Sequence, residues 1–180
     1  MLPDADTRNV IDQFKGLSVE EIKDRLAETV FPLHVAIENY QHDYNIGTIV
    51  RSANAFNVAG VHIIGKRHWN RRGAMATEKY LSLFQHATVD DFAVWCAAHS
   101  LPITGIDNIA GSKPLHLANL SSPAMIVFGQ EGPGLSAEMQ LLCSQIIAIE
   151  QFGSTRSVNV GVAAGIILYE WVRRNSGKLA

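Results

Sequence analysis

Ala124-Met125-Ile126-Val127-Phe128-Gly129-Gln130-Glu131-Gly132-Pro133-Gly134-Leu135-Ser136 is the stretch on which the reading of the fold turns. Five consecutive apolar residues, the length of a strand, run into a turn rich in glycine and proline. Ser136 then supplies an N-cap for a helix expected over 136–144. A strand that is apolar at every position is covered on both faces, which is the habit of parallel sheets.

The same unit recurs on either side. Strands are expected at 33–37, 61–65, 87–89, 103–107 and 146–149, and helices at 46–57, 76–84, 90–100 and 157–175. This alternation predicts an α/β fold, a mostly parallel sheet with helices on both faces. Towards the N-terminus, Ser18-Val19-Glu20-Glu21 reads as a capping box opening a helix with Ile22, Leu26 and Val30 on one face. Residues 1–30 are therefore expected to be a helical extension, and 31–180 the main domain.

Composition sets the outer bounds. The 180 residues suffice for one domain with a sizeable core, and 47% apolar with 18% charged residues excludes a disordered chain. A net charge of −2 does not announce a nucleic-acid binder, so any such role must come from clustered cations. Cys96 and Cys143 lack the spacing of a zinc site or disulfide scaffold and read as small apolar residues in helices. The seven histidines are not paired with one another at i+3 or i+4, and no carboxylate cluster accompanies them, so no metal is expected. The first ten residues lack an apolar signal core. The apolar stretch 158–172 is broken by Asn159, Gly161, Gly165 and Glu170 and is too short to span a bilayer. A cytoplasmic enzyme is the expectation.

Ligands of parallel sheets sit beyond the carboxyl ends of the strands. Three strand ends here run into polar or glycine-rich turns: 38–47, 129–134 and 150–159. The first turn leads into Asn45-Ile46-Gly47-Thr48-Ile49-Val50-Arg51, with Asn45 placed to cap a helix and Arg51 two turns on. A helix N-terminus beside a guanidinium suits an anion, although taken alone such residues are more often a plain cap and a solvated arginine. The second turn carries Glu131 among glycines. The third runs Ile149-Glu150-Gln151-Phe152-Gly153-Ser154-Thr155-Arg156-Ser157-Val158-Asn159, with Ser157 as the expected helix cap. Asn159 is a poor helix former in an apolar helix, and its amide needs partners.

Taken together, the three stretches resemble the SpoU/TrmH family of RNA ribose 2′-O-methyltransferases within the SPOUT superfamily. Asn-x-Gly-x-x-x-Arg matches Asn45, Gly47 and Arg51; Gly-x-Glu-x-x-Gly matches Gly129, Glu131 and Gly134; Ser-x-Asn matches Ser157 and Asn159. All three fall in the family's order, and the resemblance covers roughly residues 33–174. One departure stands out: the family usually has proline and an apolar residue after the isoleucine of the third loop, where this chain has Glu150 and Gln151.

The resemblance implies a deep C-terminal trefoil knot and a homodimer with shared pockets, for which the apolar helix 157–171 offers a face. It implies S-adenosylmethionine as cofactor, held mainly by backbone groups of Ile106, Gly129, Ile149, Ser157 and Val158. The absence of Gly-x-Gly-x-x-Gly after the first strand agrees, since it speaks against an ordinary dinucleotide site. Arg51 corresponds to the catalytic arginine. A guanidinium is a poor proton acceptor, so an electrostatic clamp on phosphate and on the developing 2′-oxyanion is the better physical role. Asn45, Ser157 and Asn159 would orient the ribose and the loop, and Glu131 would fix its glycine turn or meet the partner chain.

RNA, transfer or ribosomal, would be gripped by Lys66, Arg67, Arg71 and Arg72, with Trp69 for base stacking, unless the segment is simply a solvated loop. Arg173, Arg174 and Lys178 add cations that also suit a helix C-terminus. His42 and Asp43 beside Asn45 read as loop polarity. The competing readings are another α/β enzyme, for which a phosphate loop is missing, and a non-catalytic knotted RNA-binding dimer.

Overall fold

The structure is a computed structural model that describes residues 6–41 and 45–177. His42, Asp43 and Lys178 lie outside the described residues. In chain order the elements are α1 (Val19–Ala27), β1 (Phe31–Asn39), α2 (Ile46–Ala55), β2 (Val58–Gly65), β3 (Leu83–His86), α3 (Val89–Ala98), β4 (Ile103–Ile106), β5 (Lys113–Pro114), β6 (Ala124–Phe128), α4 (Ala137–Leu142), β7 (Gln145–Ala148) and α5 (Val160–Asn175). Short 3₁₀ turns occupy Asp12–Phe14, Arg72–Ala74, Thr77–Tyr80 and Leu115–Leu117.

The strands form one sheet in the order β3-β2-β1-β6-β4-β7-β5, with every described pair parallel. The wholly apolar run 124–128 is β6, fully buried between β1 and β4, and Ile126 pairs with both Val35 and Thr104. Side chains alternate between the two faces. Leu33, Val35, Ile37, Ile126 and Phe128 join Ile49, Val50, Ile167 and Trp171 in one core under α2 and α5. Ala36, Met125 and Val127 join Phe92, Cys96 and Met139 in a second core under α3 and α4. Trp171 is fully buried and its indole donates to the Ser121 carbonyl at 3.0 Å, which pins α5 to the loop before β6.

The capping box forms as expected: Ser18 accepts from the Glu21 amide, and Glu21 accepts from the Ser18 amide. Ile22 is buried, but α1 ends at Ala27, and Val30 lies beyond it, exposed. The helix expected at 76–84 is absent. Met75 and Ala76 have φ of 51° and 61°, which stops a right-handed helix, and the chain makes a 3₁₀ turn before β3. The strand expected at 87–89 accordingly lies at Leu83–His86, and Val89 opens α3, capped by Thr88. Among the described residues, no helix is long and apolar enough to cross a membrane.

Candidate functional site

Between β1 and β6 the chain order of the sheet reverses, and beyond the carboxyl ends of β4, β6 and β7 a cavity of about 590 Å³ opens. Its walls are Ile106 to Ile109 after β4, Phe128 to Gly134 after β6, Ile149 and Gln151 after β7, and Arg156 to Val160 leading into α5. Ile106, Gly129, Ile149, Ser157 and Val158, the five positions expected to hold a cofactor, all line this one space.

The glycine turn is built by its backbone. Gln130 and Gly134 exchange amide–carbonyl hydrogen bonds of 3.0 Å, closing a small ring. A Cβ on Gly129 would overlap the Gly134 carbonyl and the Leu135 amide, and one on Gly134, at φ 75°, would strike the Asp107 carboxylate. Two carboxylates fix the far side of the turn. Asp107 accepts from the Leu135 amide at 2.8 Å, and Glu38, at the end of β1, accepts from the Ser136 amide at 2.8 Å. Glu38 is fully buried, its Oε1 has no hydrogen-bond partner among the described residues, and burial raises its carboxyl pKa. The sequence reading missed both residues, because a lone acid at a strand end carries no signal until its fold neighbour is known.

Three of the expected catalytic residues meet across the cavity edge. The Asn45 amide donates to Glu131 Oε2 at 2.6 Å, and the Asn159 amide donates to Asn45 Oδ1 at 2.9 Å. These contacts correct two expectations. Asn45 precedes α2 but makes no side-chain cap; its amide is spent on the other two loops. Ser157 does not cap α5, which begins three residues later. Asn159 does, accepting from the Gly161 and Val162 amides. Asn159 is exposed rather than buried, and its cap and bridge explain why asparagine stands there.

Arg51 lies elsewhere in the single chain. Six residues past Asn45 is about 240° around the helix, and the side chain is exposed on another face. It borders a second cavity of about 380 Å³ between α2, α1 and residues 9–14.

The basic segment leaves β2 as an exposed loop, with Lys66, Arg67, Arg71 and Arg72 all at the surface. Buried Asn39 anchors it, donating to the carbonyls of Lys66 at 2.6 Å and His68 at 3.1 Å. Gly47 of α2 abuts Asn70, Gly73 and Ala74 so closely that a Cβ would meet backbone at 2.8–3.0 Å, which seats the loop beside Asn45. Trp69 is not a free stacking surface: it is half-buried against the core, with the Arg71 guanidinium 5.6 Å from its ring. The C-terminal cations are also committed. Arg173 and Arg174 each pair with Glu170 at 2.7 Å, and Arg174 donates to the Ala118 and Leu115 carbonyls.

At the departure in the third loop, Glu150 contacts His116 Nδ1, and that hydrogen bond lowers the carboxyl pKa. The loop is thus tied to the 115–117 turn by a hydrogen bond. Cys96 is buried in α3 and Cys143 half-buried at the end of α4; burial pushes their thiols up to about 12 and about 11.

Three histidines the sequence left scattered come together. On the α3 face, His34 Nδ1 bonds His62 Nε2 at 3.0 Å, and His62 Nδ1 bonds His86 Nε2 at 2.9 Å, a diagonal row across β1, β2 and β3. Gly60 makes room for it, since a Cβ there would crowd both the His34 ring and Phe84. Burial lowers the His62 pKa to about 2 and that of His34 to about 4. Among the described residues, no cluster has the makings of a metal site.

The model of the SpoU rRNA Methylase family matches residues 32–169. The chain belongs to that family. An uncharacterized tRNA/rRNA methyltransferase of Mycolicibacterium paratuberculosis is 30% identical over 88% of this chain and 52% of its own. The 23S rRNA (guanosine-2′-O-)-methyltransferase RlmB of Photorhabdus laumondii is 30% identical over 87% of this chain and 66% of its own. The chain thus spans about half the length of the first relative and just under two thirds of the second. Among solved SpoU structures, the A. aeolicus TrmH/SpoU tRNA modifying enzyme superposes with a TM-score of 0.76 at 25% identity, covering 89% of this chain and 85% of its own. AviRb from Streptomyces viridochromogenes, solved in complex with AdoMet, gives 0.73 at 25% identity over 86% of this chain and 64% of its own.

Proposed function

We propose that this SpoU-family chain binds S-adenosylmethionine in the 590 Å³ cavity and methylates a ribose 2′-hydroxyl of transfer or ribosomal RNA. The observation that carries the reading is the convergence of three loops. Five backbone-bearing positions line one cavity, and Asn45, Glu131 and Asn159 join at its edge. The volume falls in the range of small-molecule sites. Ile106, Phe128, Ile149 and Val158 offer apolar walls for a purine, and the glycine ring leaves space that a Cβ would fill.

Bound cofactor supplies an already activated methyl group. What remains for the chain is positioning and charge. Asn159 holds Asn45, and Asn45 holds Glu131, so the three loops keep one spacing and Ser157 stands within reach of a ribose. Arg51 clamps the adjacent phosphate and stabilises charge developing on the 2′-oxygen. Its place outside the cavity in one chain supports a homodimer in which a second copy completes the site. Val162, Ile166 and Tyr169 form an exposed apolar stripe on α5, directly behind the cavity wall, and suit that interface. The return of α5 from β7 to pack on α2 supports the threading of a trefoil knot. Residues 1–30 act as an extension whose described part, from residue 6, is anchored by buried Ile22.

Calorimetric titration with S-adenosylmethionine, with and without RNA, tests the cofactor. Mass spectrometry of unmodified transcripts after incubation tests the reaction by 2′-O-methylated nucleosides. Failure to bind the cofactor under either condition sinks the proposal. Arg51→Lys should retain RNA binding while losing most turnover, about a hundredfold for a displaced oxyanion donor; normal turnover would remove the guanidinium from the chemistry.

A further inference from the structure

The third loop carries a feature the mechanism leaves unused. Phe152 is 97% exposed, among the most exposed large apolar residues of the described chain. A phenyl ring left wholly in water forfeits the free energy that burial would give. It stands at a defined place. Gln151 before it and Arg156 after it both line the cavity, while 152–155 arch outward between them, all exposed. The arch is tethered at its far foot, where the Asn108 amide donates to the Arg156 carbonyl at 3.1 Å and Thr155 Oγ1 donates to the Ser157 carbonyl at 3.2 Å. At its crown, Gly153 has open space where a side chain would stand.

The surroundings select the ligand. Arg156 is exposed and brings a cation to the cavity mouth. Across that mouth, Asn159 is bonded to Asn45, and α2 in turn seats the loop of Lys66, Arg67, Arg71 and Arg72. An exposed aromatic ring in the same loop as an exposed arginine, at the rim of a site that receives a nucleotide on the proposed function, matches the stacking-plus-phosphate chemistry of single-stranded RNA recognition. Trp69, the aromatic of the basic loop, is half-buried against the core, so the stacking surface at this mouth is Phe152.

We propose that the 152–156 arch is a nucleotide grip: the Phe152 ring stacks on an unpaired base next to the target ribose, and the Arg156 guanidinium holds the phosphate beside it. The proposal rests on the RNA methyltransferase reading and adds a substrate contact to it.

The test uses the full chain with S-adenosylhomocysteine and fluorescein-labelled ten-nucleotide single-stranded RNAs of mixed sequence, followed by anisotropy. Phe152→Ala should weaken RNA binding about tenfold, as loss of one stacked base does, and Phe152→Trp should restore it. Arg156→Ala should lower the slope of log affinity against log salt by about 0.7, one phosphate contact to a single strand. For Phe152→Ala, whose ring lies outside the cavity lining, calorimetric affinity for S-adenosylhomocysteine and the oligomeric state by light scattering should match the parent. The grip is overturned if Phe152→Ala binds RNA as tightly as the parent. It is equally overturned if the change falls on cofactor affinity, which makes the arch a cofactor lid, or on oligomeric state, which makes Phe152 a subunit contact. If the parent protein itself binds no cofactor and methylates no transcript, the underlying function falls instead, and the two failures are told apart by the parent alone.

Discussion

Two groups of polar side chains on the same sheet meet opposite fates. At the carboxyl ends of the strands, Asn45, Glu131 and Asn159 bond to one another yet remain at the surface beside an open cavity. On the α3 face, His34, His62 and His86 also bond to one another, but under Phe84, Phe92 and Trp95, with His62 sealed from solvent. The first group borders an open space; the second is closed in by aromatic rings. Polar residues at strand ends are thereby available for chemistry, whereas polar residues inside strands are structural cement. Substitution should separate the two.

The largest effect is expected at the middle of the row. His62→Ala removes a buried ring and orphans two imidazole nitrogens, and should cost about 4 kcal/mol in urea unfolding. Cofactor affinity of the folded protein should stay as it was. A loss below about 1 kcal/mol would show that the row contributes little.

Acid should act on the same region next. Each of these imidazoles is held neutral in the folded chain, whereas in the unfolded chain it takes up a proton near pH 6.5. The stabilisation is complete above that pH and drains as pH falls towards about 4 for His34 and about 2 for His62. Asp91 pulls His86 the other way, and Glu38, with its raised pKa, gives back some stability on acidification. Glu150 and Glu170 have lowered carboxyl pKa values, so their losses come below the carboxylate range. Urea midpoints at pH 7.5 and pH 5 should therefore differ, with pH 5 the weaker. Equal midpoints would mean the row does not exclude protons.

The smallest effect on stability belongs to the cavity group. Asn159→Ala removes the cap of α5 and should cost about 1 kcal/mol. Its effect on methyl transfer should be disproportionate, because the same amide positions Asn45. Catalysis that falls only in line with stability would reduce Asn159 to a cap.

How far the sequence carried the reading depended on how local the determinant was. Strand β6 was legible to the residue, because five apolar residues are bounded by Pro123 and Gly129. Strand β3 was not: Ala76, Glu78, Lys79 and Leu81 favour helix locally, and the left-handed Met75 and Ala76 override them. The five cavity-lining positions were found because motif order tracks strand ends. The turning of Arg51 away from them follows from its six-residue spacing on the expected helix, about 240° from Asn45, but the family motif groups the two residues without regard to it. The histidine row depends on register between three strands, and no single segment reports that.

The bridge from Asn45 to Asn159 spans 114 residues. It joins the start of the second helix to the start of the last one, so the site is among the most non-local structures in the chain. During synthesis, β1, α2 and β2 leave the ribosome long before their partner loop exists. Contacts of such sequence separation are slow to form, and the chain stays without its pocket until α5 has been made and docked. On the proposed function, a nascent or truncated chain cannot capture cofactor, and ligand binding reports that the last helix has arrived.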